Sequence, residues 1–145
     1  MQRYQFSFEK LEVWQLARQV TKTVYAKTAS FPQEERYLLT SQMRRAAISI
    51  VSNLAEGSAR KSAGDKAHFT TIAYSSLMEL LNHCIISFDR GLLTTGELDE
   101  YRADFQKLSV KLSNLKKSQL RRSDLWQERS SKQLQFSTTF NNIQP

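Results

Sequence analysis

A chain of 145 residues, 40% of them hydrophobic, holds enough apolar side chains for one packed domain and is short for two. Only 4 glycines and 2 prolines punctuate it, too few for the many turns of a sheet-rich fold, so long helices are expected. The net charge of +7 and pI of about 9.7 favour polyanionic partners, nucleic acid first, and the single cysteine, Cys84, excludes an intramolecular disulfide and suits a reducing compartment.

The first predicted helix covers residues 8–28. Phe8, Leu11, Trp14, Ala17, Thr21 and Val24 recur at three- and four-residue spacing and mark its inner face. Ser7 is the expected cap, with Glu9 in the first turn, where a carboxylate suits the helix dipole. Ser30, Phe31 and Pro32 break the pattern. Proline fits the first turn of the next helix, predicted over residues 32–56 with Gly57 as terminator. A short basic loop follows, and a third helix is expected over residues 65–90, with Phe69, Ile72, Ala73, Ser76, Leu77, Leu80 and Cys84 inward and Gly91 as its stop. Thr94 and Glu97 have the spacing of a capping box. The fourth helix then carries a heptad seam of Leu98, Tyr101, Phe105, Leu108, Leu112 and Leu115.

Four helices of similar length joined by short loops imply an all-α, antiparallel up-down-up-down four-helix bundle. The bundle is expected over residues 1–118. Periodicity dissolves after Ser118, so residues 119–145 are expected to form a polar, disordered tail. Residues 1–5 lack the apolar run of a signal peptide. The longest weakly charged stretch, residues 67–88, contains His68, Glu79, Asn82 and His83 and is not expected to span a membrane. A cytoplasmic location is expected.

Helix two carries no charge over residues 46–55, and apolar side chains point in almost every direction there. A second subunit would cover what the bundle leaves open, so a homo-oligomer is expected. Beside that surface, Gln42, Arg45, Ser49, Asn53 and Glu56 fall on one face at spacings of 3, 4, 4 and 3. They read as a structural polar network that fixes register, with Glu79 of helix three as the candidate partner of Arg45.

Catalytic chemistry finds little purchase. Glu79 and His83 are four apart, whereas di-metal bundles need a Glu-x-x-His pair from each of two helices, so no metal site is expected. Cys84 sits on an apolar face with no base beside it in sequence. The Gly57–Lys66 loop lacks the Gly-Lys-Ser/Thr of a P-loop and follows a helix. No nucleophile, acid/base pair or cofactor motif emerges, so neither an enzyme nor a cofactor is expected. The basic side chains are more informative. Arg44, Arg60, Lys61, Lys107, Lys111, Lys116 and Lys117 are the candidate phosphate contacts, with Arg121 and Arg122 continuing the series and Trp126 able to stack on an unpaired base.

Several runs together resemble one family. They are Phe8-Glu9-Lys10-Leu11-Glu12-Val13-Trp14, Phe31-Pro32-Gln33-Glu34-Glu35, Arg44-Arg45-Ala46-Ala47-Ile48-Ser49-Ile50, Asn53-Leu54-Ala55-Glu56-Gly57, and Phe69 with Ser76-Leu77 and Glu79-Leu80. Over about residues 6–118 the chain resembles the bacterial four-helix-bundle proteins encoded in intervening sequences of large-subunit ribosomal RNA genes. The resemblance implies an antiparallel bundle and a homopentameric ring. The resemblance also implies a distant relative in the accessory variability protein of diversity-generating retroelements, which looks like a basic pentamer that binds nucleic acid and a reverse transcriptase. Two functions follow as expectations: an oligomer that binds structured RNA or DNA through basic residues, or a scaffold that docks a partner protein such as a reverse transcriptase.

Overall fold

The computed structural model describes residues 1 and 3–141, and side chains through residue 135. It is all-helical among the described residues, with α1 (Glu12–Thr28), α2 (Leu39–Ser58), α3 (Ala63–Asp89) and α4 (Thr95–Asn141). Short 3₁₀ turns at Ser7–Lys10 and Gln33–Glu35 precede α1 and α2. Each helix packs on its sequence neighbour, and α4 closes back on α1. The contacts run in opposite senses along each pair. Thr28 meets Arg44 while Thr21 meets Ala47. Met43 meets Ser87 while Ser49 meets Ser76. Lys27 meets Glu97 while Glu12 meets Lys111. Neighbouring helices are therefore antiparallel.

The core sits on the four-fold seam. Val13, Ala17, Val20 and Val24 come from α1, Met43, Ala47, Ile50 and Leu54 from α2, and Ala73, Leu77, Leu80 and Cys84 from α3. From α4 come Leu98, Tyr101, Phe105, Leu108 and Leu112, as the heptad spacing predicts. The inner face of α1 differs from the expected one. Leu11 is extended and separates the 3₁₀ turn from the helix, so Phe8 and Trp14 pack edge to face at 5.0 Å on the flank of the core, and the valines point inward. Helix α2 begins at Leu39, later than expected. Its entry is held by the buried Glu35, whose carboxylate accepts from Leu39 N (3.4 Å) and from Arg90 Nη2 (3.5 Å).

Punctuation holds at the α3–α4 corner. Gly91 takes φ = +73°, and Leu92 N donates to Ser87 O at 2.8 Å, a left-handed helix stop. Thr94 N donates to Glu97 Oε2 (2.8 Å) and Glu97 N donates to Thr94 Oγ1 (3.2 Å), completing the capping box. Gly57 does not terminate α2 as expected. It is buried inside the last turn, against Phe69 of α3.

The largest departure follows Ser118. Helix α4 runs unbroken for 47 residues, so residues 119–141 are helical where disorder was expected, and residues 142–145 lie outside the described residues. The reason is that apolar periodicity reports burial, whereas helix formation needs only favourable residues. The run from Gln119 to Gln135 contains neither glycine nor proline and is rich in Gln, Arg and Leu.

Candidate nucleic-acid interface

The candidate phosphate contacts do not form one continuous face. Arg44 lies at the α1–α2 seam, where its Nε donates to Thr28 Oγ1 (2.9 Å) and its guanidinium stacks 4.6 Å from the Tyr25 ring centroid. Arg60 pairs with Glu56 (2.8 Å) and stacks on Phe69 (4.6 Å). Lys111 pairs with Glu12 (3.0 Å), and this cation holds the exposed Glu12 carboxyl below its ordinary range. Lys107 is exposed midway along α4.

Lys61, Lys116 and Lys117 behave differently. They stand toward the end of the bundle where the α2–α3 loop meets α4, and among the described residues they make no ion pair. Lys116 borders a shallow groove between α3 and α4 with Thr70, Thr71, Tyr74, Leu112 and Ser113. Nearly two turns further, α4 passes the start of α3 and borders a groove of about 470 Å³ lined by Lys61, Ser62, Ala63, Gly64, Arg122, Ser123, Trp126 and Gln127. Trp126 is 72% exposed. Ser62 caps α3 by accepting from Asp65 N (3.1 Å), and Lys66 Nζ donates to the Ser58 carbonyl (3.0 Å), which ties down the C-terminal turn of α2. Arg122 and Trp126 were visible as sequence features, but their meeting with Lys61 depends on α4 continuing past the bundle.

The polar network divides in two. Ser49 and Ser76 hydroxyls lie 2.7 Å apart between α2 and α3, and Asn53 Nδ2 donates to Ser49 O (2.8 Å) and Oγ (3.1 Å). Gln42 is half-buried on the same side. The rest of the stripe faces water. Arg45 is exposed and is not paired with Glu79, which instead meets His83 at 3.4 Å, and Glu56 turns to Arg60. A stripe with two successive steps of four drifts round a helix of 3.6 residues per turn, so its members do not share one depth.

Cys84 is fully buried, and burial pushes its thiol pKa up to about 12. Among the described residues no three His, Cys, Asp or Glu side chains converge as metal ligands, and no helix is long and apolar enough to cross a membrane. The charge-free part of α2 is largely covered within the chain, since Ala46, Ala47, Ile50 and Leu54 are buried and Ile48 is its exposed large apolar residue. More apolar surface lies on the outside of α3, where Tyr74, Met78, Leu81, Ile85 and Phe88 repeat at heptad spacing and Tyr74, Met78 and Phe88 are 37–38% exposed.

Residues 9–114 match the family model described as 23S rRNA-intervening sequence protein. No curated protein matches the chain.

Proposed function

The chain belongs to the 23S rRNA-intervening sequence protein family, and on that footing we propose that it is a non-enzymatic, homo-oligomeric protein of the cytoplasm, a pentamer by the family resemblance, that binds nucleic acid through phosphate contacts. The observation that carries this reading is the cluster of cations toward the α2–α3 end. Lys61, Lys116, Lys117 and Arg122 hold their charges there without ion pairs among the described residues. Side chains of this kind neutralise phosphates without reading base sequence, and an oligomer repeats them so that weak contacts add by avidity. The family description refers to intervening sequences of 23S ribosomal RNA, which makes structured RNA the first ligand to try.

Fluorescence anisotropy with labelled structured RNA and duplex DNA, between about 50 and 300 mM salt, tests the reading. Log affinity should fall linearly with log salt, by about 0.9 per phosphate contact on duplex DNA, and Lys116→Glu with Lys117→Glu should weaken binding to every sequence alike. Negligible affinity at low salt, or affinity indifferent to both salt and charge reversal, overturns it. The second reading, a scaffold that docks a partner protein, is supported by the apolar stripe on the outside of α3. Light scattering separates a 16.8 kDa monomer from an assembly and tests the oligomer directly.

A further inference from the structure

The groove between the α2–α3 loop and the continuation of α4 has a composition of its own. It places two cations, Lys61 and Arg122, beside the ring of Trp126, with Ser123 and Gln127 adding neutral polar groups and no carboxylate in the lining. Trp126 is 72% exposed, so a large aromatic face stands in water next to positive charge. The groove thus pairs an aromatic wall with two cationic heads and hydroxyl and amide groups.

Resting on the phosphate-binding reading above, we propose that this groove is a binding site for an unpaired nucleotide, whose base stacks on Trp126 while its flanking phosphates meet Lys61 and Arg122. Every base has a π-face, so such stacking tolerates any sequence, and a paired base in a duplex has no free face to offer. The site therefore prefers single strands and loops over duplex, in RNA and DNA alike. Arg122 and Trp126 lie beyond residue 114, outside the stretch matched by the family model, whereas Lys61 lies within it.

The test uses the full chain and three labelled probes of equal length: an unstructured uridine RNA, a thymidine DNA and a duplex DNA. Trp126→Ala should weaken binding of both single strands about tenfold and leave duplex affinity unchanged, while Trp126→Phe retains most of it. Single strands should also quench the tryptophan fluorescence of the wild type more than that of Trp126→Phe, in which only Trp14 remains. Single-strand affinity that ignores Trp126→Ala but collapses on Lys116→Glu with Lys117→Glu overturns the stacking site and leaves the phosphate reading standing. Absence of binding to all three probes overturns both. A loss confined to one sugar type overturns the sugar-independent form proposed here.

Discussion

Gly57 of α2 lies against Phe69 of α3 so closely that a Cβ added to the glycine would stand 2.8 Å from the Phe69 Cβ. The contact is with the root of a side chain, which moves only if the helix moves. Gly57→Ala therefore sets two effects against each other. Alanine gains about 1 kcal/mol of helix propensity, and overpacking at this crossing costs about 1–3 kcal/mol. Steric cost is expected to win, with a net loss of about 1 kcal/mol in urea unfolding. Gly96→Ala is the control. It lies in the first turn of α4 with nothing within 4 Å of the added carbon, so it should stabilise by about 0.5–1 kcal/mol.

The Ser49–Ser76 pair, 2.7 Å apart, should behave as a unit. Ser49→Ala leaves the buried Ser76 hydroxyl without its cross-helix partner and removes one acceptor from Asn53. A loss of about 1 kcal/mol is expected, and Ser76→Ala should cost a similar amount. The double variant should cost less than the sum, because neither hydroxyl is then stranded. Additive losses in the double-mutant cycle would show that the two hydroxyls do not depend on each other.

Acid should weaken the fold through Glu97. Lys27 Nζ at 2.6 Å is the main cause that holds this carboxyl below its ordinary value of 4.5, and the Thr94 backbone N–H adds to it. A carboxylate depressed in the folded state stabilises it above the unfolded value, and that stability is lost as pH falls through the folded one. Urea midpoints should be flat near neutrality and decline below about pH 4.5. Glu97→Gln should be less stable than wild type at pH 7 and converge with it in acid. A gap that persists unchanged at low pH would mean that the ion pair contributes no pH-dependent stability.

Most of the fold was legible because its signals are local. The seam from Leu98 to Leu112 places apolar residues at successive heptad positions, and the Thr94–Glu97 box and Gly91 act within a few residues of themselves. What escaped was set by distant partners. A glycine near a helix end reads the same whether it terminates the helix or admits a neighbour, and only Phe69 on the next helix distinguishes the two roles of Gly57. On α1, Phe8 and Trp14 outweighed Val13 and Val20 in the pattern, although the extended Leu11 turns the aromatics to the flank. The Trp126 groove needs the loop at Lys61 and the continuing α4 at once, and loss of periodicity after Ser118 concealed that helix.

Arg44 and Arg45 are sequence neighbours whose surroundings in the fold differ from those the spacing suggests. The spacing places Arg45 in a structural polar network and Arg44 among the candidate phosphate contacts. Instead Arg45 is exposed, whereas Arg44 is half-buried, donates to the buried Thr28 hydroxyl at 2.9 Å and stacks on Tyr25. Thr28 Oγ1 already donates to Val24 O at 2.7 Å, so the arginine fills its accepting side. Arg44→Ala removes a charged hydrogen bond worth about 1.5 kcal/mol and a cation–π contact worth about 0.5–1 kcal/mol. A loss of about 2 kcal/mol is expected. Arg45 is exposed, so Arg45→Ala should stay within about 0.5 kcal/mol of wild type. Thermal melts of the two single variants, at a protein concentration held constant so that assembly does not intervene, should rank Arg44→Ala far below Arg45→Ala. The reverse ranking would mean that Arg45 is buried in the assembled protein against a second copy, and that the outer face of α2 is a subunit contact.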